Sequence, residues 1–173
     1  MPTTTKRLTM AEIHTLVEGF IKGLNTHDAD AALSFCTDDV VFKEPFQPRV
    51  RGKDTIRPRL MASWKAFKDV HFPLEDVHVY PGEDRTSAVV VYTMIATMGG
   101  PAFGVAGTGR TMRVTATMIT KFRDGLISDG VILYDSVQAA EQLGLLPRSD
   151  GLAMRLIMAA ETATTMARRA LRL

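Results

Sequence analysis

Apolar residues in the first third of the chain recur at intervals of three and four. Ile13, Leu16, Val17, Phe20, Ile21 and Leu24 form one stripe of a helix. Thr9 precedes that stripe and Glu12 stands three residues on, the arrangement of a capping box. Asn25-Thr26-His27-Asp28 breaks the pattern, with Asp28 placed to cap a short second helix, Ala29 to Phe35. His27, in that polar turn, is expected to be solvated. A third helix is expected from Gly52-Lys53-Asp54 to about Lys68, with Ile56, Leu60, Trp64 and Phe67 near helical spacing. Pro58 is expected in its first turn, where a missing amide costs nothing.

Elsewhere the period is two. Val40 to Glu44, closed by Pro45, reads as a strand with Val40, Phe42 and Glu44 on one face. Val70 to Tyr80 reads as a strand interrupted or edged by Pro73. Ser87 to Met98 is a long strand with two largely apolar faces, so both are expected to be covered. From Arg110 the pattern predicts two long strands joined at Asp124-Gly125, a hairpin signal because the turn needs positive φ. The second ends in Val131-Ile132-Leu133-Tyr134-Asp135, and a short helix follows, Val137 to Leu143. Ser149-Asp150 is placed to cap a last helix from about Leu152, with Leu152, Leu156, Ala159, Ala163 and Met166 on its apolar side. Helices first, then long antiparallel strands, then helices predict an α+β fold with a curved sheet wrapped over helices.

Composition narrows the function classes. At 173 residues, one domain is expected, large enough for a real core. A formal net charge of +2 makes no electrostatic case for nucleic acid. The single cysteine, Cys36, excludes an internal disulfide framework and any CxxC motif; it falls in a helical pattern and reads as a small buried hydrophobe. No stretch approaches the roughly 20 apolar residues of a membrane span. The N-terminus has no apolar run after Lys6-Arg7, unlike a signal peptide, so a cytoplasmic location is expected by default. The loop 99–109 is glycine-rich but lacks the Gly-Lys-Ser/Thr and following helix of a phosphate-binding loop.

Two carboxylates are candidate chemistry. Asp135 ends an apolar strand: either it caps the following helix, or it works as an acid/base inside a pocket. Glu44 shares a strand face with two hydrophobes: either it reaches a ligand, or it pairs with Arg49 or Arg51 at the surface. Phe42, Trp64, Phe67, Tyr92, Met94 and Met118 either line a pocket for a flat hydrophobic ligand or pack as core. Trp64 and Tyr92 are the more informative pair, since each adds a polar group. His71 and His78, seven apart, would face opposite ways on one strand, and His14 lies beside the apolar stripe; no metal site and no cofactor are expected.

The order of elements resembles the cone-shaped α+β (cystatin-like) fold of nuclear transport factor 2-like proteins, which include ketosteroid isomerases, SnoaL-type polyketide cyclases and limonene epoxide hydrolases. Three stretches carry the resemblance: Phe20 to Asp28; Asp38 to Pro45 followed by Arg51 to Ile56; and Phe122-Arg123-Asp124-Gly125-Leu126-Ile127 through Asp135 to Gln142-Leu143-Gly144. It covers residues 9–147, so a domain over 1–147 and a C-terminal helical extension over 148–173 are expected. By resemblance, Asp135 falls where the cyclases keep an acid/base aspartate, and Glu44, with one residue of slippage, where the isomerases keep their proton-shuttling aspartate. Phe20 and Met118 stand where the isomerases keep oxyanion donors, so those donors are missing and both residues join the expected pocket lining. The resemblance implies a cofactor-independent enzyme acting on a hydrophobic, carbonyl-bearing metabolite. Aldol-type cyclisation, isomerisation, dehydration and epoxide opening all fit, with Asp135 as general acid/base and Glu44 assisting. The alternative is a non-catalytic ligand-binding or dimerisation module on the same fold. A homodimer through the outer sheet face is expected, with neither nucleic acid nor membrane as partner.

Overall fold

A computed structural model describes residues 7–45 and 47–170. Three helices, α1 (Met10–Asn25), α2 (Ala29–Leu33) and α3 (Lys53–Ala66), are interleaved with two strands, β1 (Cys36–Lys43) and β2 (Val50–Arg51). Four strands follow: β3 (His78–Pro81), β4 (Ser87–Thr97), β5 (Thr111–Arg123) and β6 (Leu126–Tyr134). Two helices end the described chain, α4 (Ser136–Gln142) and α5 (Leu152–Ala170). The six strands form one open sheet in the order β2-β1-β6-β5-β4-β3. This is the expected α+β architecture with one change. The sheet is mixed, because β1 runs parallel to β6 while every other pair is antiparallel.

Local chemistry sets the first elements as the sequence predicts. The Thr9 hydroxyl accepts from the Glu12 amide at 3.2 Å, and the Glu12 carboxylate accepts from the Thr9 amide at 2.7 Å, closing the capping box of α1. Asp28 accepts from the amides of Asp30 and Ala31, each at 3.0 Å, and so caps α2. The α1 stripe is buried from Ile13 to Leu24. Gly23 lets α2 approach: a Cβ there would lie 2.5 Å from the Ala32 amide nitrogen. Asp124 and Gly125, both at positive φ, turn β5 into β6.

Four expectations are corrected. The α2 helix stops at Leu33, so Cys36 opens β1 rather than continuing a helix; it is buried all the same, and burial pushes its thiol up to about 12. Pro58 lies in the second turn of α3, where its missing amide removes the bond the Asp54 carbonyl would accept. Residues 70–80 are not one strand. His71 makes an isolated bridge to Ile95, Pro73 leads into a 3-10 turn at Leu74–Asp76, and β3 begins only at His78. Asp150 does not cap α5; its carboxylate faces the Arg148 guanidinium at 3.2 Å.

The sheet's inner face and α1 enclose the core, which includes Val17, Ile21, Val40, Val90, Met98 and Ile127. On the outer face Val89, Ile119 and Leu133 are exposed, and the outer side of β4 is less covered than the inner. Leu152, Leu156 and Met166 of α5 are also exposed. Among the described residues, no helix is long and apolar enough to cross a membrane.

Candidate active site

Between α1, α3, α4 and the inner sheet face lies a cavity of about 420 Å³. That volume is in the range of small-molecule sites. Strand alternation and register build its floor. Tyr92 of β4 pairs with Ala116 of β5, which pairs with Tyr134 of β6. The small, buried Ala116 therefore sits between two inward phenols. One step along, Val90, Met118 and Ile132 repeat the pattern. On β1, Lys43 pairs with Val131, so Glu44 comes abreast of Ile132. Phe42 stacks on Phe20 with centroids 5.8 Å apart, and Gly130 makes room for its ring: a Cβ there would lie 2.4 Å from it.

The wall opposite is α3. Ile56, Arg59, Leu60, Ser63, Trp64 and Phe67 face the cavity at helical spacing. Phe103, from the loop between β4 and β5, and Leu145 and Leu146, after α4, complete the lining. The seven expected pocket residues, Phe20, Phe42, Trp64, Phe67, Tyr92, Met94 and Met118, all line it. They bound an open volume as well as belonging to the core.

The two candidate carboxylates part company. Glu44 lines the cavity, and burial raises its pKa above the ordinary value, only partly offset by the positive charge of Arg59. Asp135 does not reach the cavity. It is exposed, and its carboxylate accepts from the Gln138 amide at 2.9 Å as the cap of α4. The expectation of an acid/base carboxylate in the pocket is thus corrected for Asp135. With Ile132 and Tyr134 facing in, the next residue must face out.

Sequence reasoning passed over four polar groups. Tyr134 lines the cavity, and burial, with the Glu44 charge, pushes its phenol up to about 12. The same two causes, in the same order, raise Tyr92, to which the charge of Tyr134 also contributes. Both phenols therefore stay protonated and able to donate. Arg59, Ser63 and Gln47 are the others, and Arg59 donates to the Gln47 side-chain oxygen at 3.2 Å. Tyr134 was findable by extending the alternation from Ile132, and Arg59 and Ser63 by tracing the helical stripe through polar positions. Glu44 and Arg59 are the charged side chains among the described lining residues.

The histidines stand elsewhere. His27 is not solvated: its Nε2 lies 2.9 Å from the Val70 carbonyl oxygen, and its ring stacks on Trp64 at 5.2 Å. His14, His71 and His78 are exposed. Among the described residues, no three His, Cys, Asp or Glu side chains converge as a metal site would require.

A carboxylate and two phenols around an apolar void can move a proton and hold the oxyanion that results. Comparison with known proteins bears on the fold. A proposed polyketide cyclase from Xanthomonas campestris pv. campestris is 20% identical, with a TM-score of 0.71 over 77% of this chain and 97% of that one. TsrD from Streptomyces laurentii is 25% identical, with a TM-score of 0.67 over 80% of this chain and 99% of that one. IdmH, a proposed polyketide cyclase from Streptomyces antibioticus, is 19% identical, with a TM-score of 0.61 over 75% and 96%. No curated protein sequence matches the chain. The SnoaL-like domain model matches residues 17–130, and the chain belongs to this SnoaL-like family.

Proposed function

We propose that the protein is a cofactor-independent enzyme of proton transfer, acting on a hydrophobic carbonyl compound held in the cavity, with Glu44 as the base. The observation that carries this reading is a carboxylate of raised pKa inside an apolar cavity that two protonated phenols share. In the step envisaged, the Glu44 carboxylate takes a proton from the carbon next to the carbonyl. The C–H electron pair becomes the enolate, and Tyr92 or Tyr134 donates a hydrogen bond to its oxygen. Return of the Glu44 proton at another carbon is an isomerisation; attack of the enolate carbon on a second carbonyl, whose oxygen takes that proton, is an aldol-type cyclisation; and loss of a β-hydroxyl as water, with that proton, is a dehydration. Opening an epoxide would use the same carboxylate to activate water.

The test is deuterium exchange into 2-tetralone, whose protons beside the carbonyl are acidic, followed by NMR in heavy water. Wild type should accelerate exchange over buffer, and Glu44→Gln should lose about 10²–10⁴-fold of that acceleration. Full exchange by Glu44→Gln would refute the base assignment. A second reading, ligand binding without turnover, is favoured by the position of Asp135, which leaves one carboxylate in the cavity. Tight binding of the ketone with exchange no faster than buffer would select it.

A further inference from the structure

Arg59 sets a problem that the proton-transfer reading does not use. Its guanidinium lines a cavity that is otherwise mostly apolar, yet among the described residues it forms no ion pair. Among the described residues, its one hydrogen bond goes to Gln47, at 3.2 Å, and takes one of its five N–H donors. Glu44 lines the same cavity and its charge acts with that of Arg59, but the two form no direct ion pair. A half-buried guanidinium in no direct ion pair among the described residues is placed to receive a carboxylate from a ligand. Ser63 lies one helical turn on from Arg59 and faces the same cavity, so a hydroxyl stands beside the guanidinium.

We propose that Arg59, oriented by Gln47 and flanked by Ser63, binds a carboxylate of the ligand, so that the ligand class is a hydrophobic monocarboxylate. Planar guanidinium donors match the two oxygens of a carboxylate, which a point charge would not. The apolar body of the ligand then lies toward Trp64, Tyr92 and Tyr134, with its carbonyl near Glu44. This inference rests on the cavity being the ligand site, as the functional reading holds, but not on Glu44 being a base.

Calorimetric titration with 2-naphthoate and 2-naphthamide, equal in shape and unequal in charge, separates the two ideas. Wild type should prefer the naphthoate by at least about tenfold, an energy of about 1.4 kcal/mol. Arg59→Met should abolish that preference while keeping the naphthamide affinity, which shows that the cavity is intact. Arg59→Lys should restore only part, and Glu44→Gln should bind naphthoate at least as tightly as wild type. Equal affinity of wild type for both probes, or a preference that survives in Arg59→Met, overturns the proposal and leaves the base assignment standing. Binding of neither probe at millimolar concentration overturns the proposal and the cavity reading together. Loss of exchange in Glu44→Gln with no carboxylate preference sinks the carboxylate subsite alone.

Discussion

Glu44 and Asp135 each follow a strand, and the two strands lie side by side and run the same way. Both carboxylates therefore reach the same end of the sheet, yet one is half-buried against a cavity and the other caps a helix in water. The difference is phase. Glu44 continues the inward series of Val40 and Phe42, whereas Asp135 falls one residue after the inward Tyr134. A single step along the backbone separates a carboxylate whose charge is penalised from one whose charge is satisfied by an amide. The end of an apolar strand is thus not itself a functional address; the side of the sheet decides.

The contrast breaks most visibly in turnover. Replacing Asp135 with Asn should leave ketone exchange at the wild-type rate, against the collapse expected of Glu44→Gln; equal losses at the two positions would erase the distinction. Next in size are the phenols. Tyr92→Phe and Tyr134→Phe should each slow exchange, by up to about 10²-fold for whichever contacts the oxyanion, with little change in probe affinity. The pH profile of kcat/KM sharpens the same point. Activity needs ionised Glu44, so it should rise with pH through a midpoint above the ordinary glutamate value of about 4.3, and a midpoint at that value would contradict the burial described.

Stability separates the pair with smaller effects of opposite sign. Asp135→Ala removes a cap and should cost about 1 kcal/mol, roughly 2–4 °C in Tm for a chain of this size. Asp135→Asn, which can still accept from Gln138, should cost only a few tenths of that. Glu44→Gln should raise Tm at neutral pH. Folding raises the Glu44 pKa, so the fold favours the protonated form, and stability falls as pH climbs from the unfolded value through the folded one. The gain from Gln should therefore grow over that interval and vanish below it. Scanning calorimetry across pH checks the slope, and a gain that shrinks with rising pH would show the sign to be wrong.

What could be read from sequence follows the range of the interactions. Thr9, Glu12, Asp28 and the Asp124-Gly125 turn act within a few residues, and each does what its local chemistry predicts. Glu44 was legible because three alternating residues carried it inward. Asp135 carried both readings on its own residues, and the resemblance was given more weight than its phase; Tyr134 was missed because the alternation was not followed past Ile132. Arg59 was hidden in a helix traced by its apolar positions alone. The parallel pairing of β1 with β6 joins segments some eighty residues apart and leaves no local mark. Pro73 was recognised as disruptive, but whether it would edge a strand or end one depended on Ile95 taking His71 as its bridge partner.

Trp64 is the chain's one indole, and it stands in the cavity wall with its face against the His27 imidazole. The protein consequently carries its own optical label in the wall of the proposed ligand site. Any occupant that excludes water from that wall should alter the colour and intensity of ultraviolet emission. Candidate compounds can thus be screened on unmodified protein in a fluorimeter, with no assay of turnover.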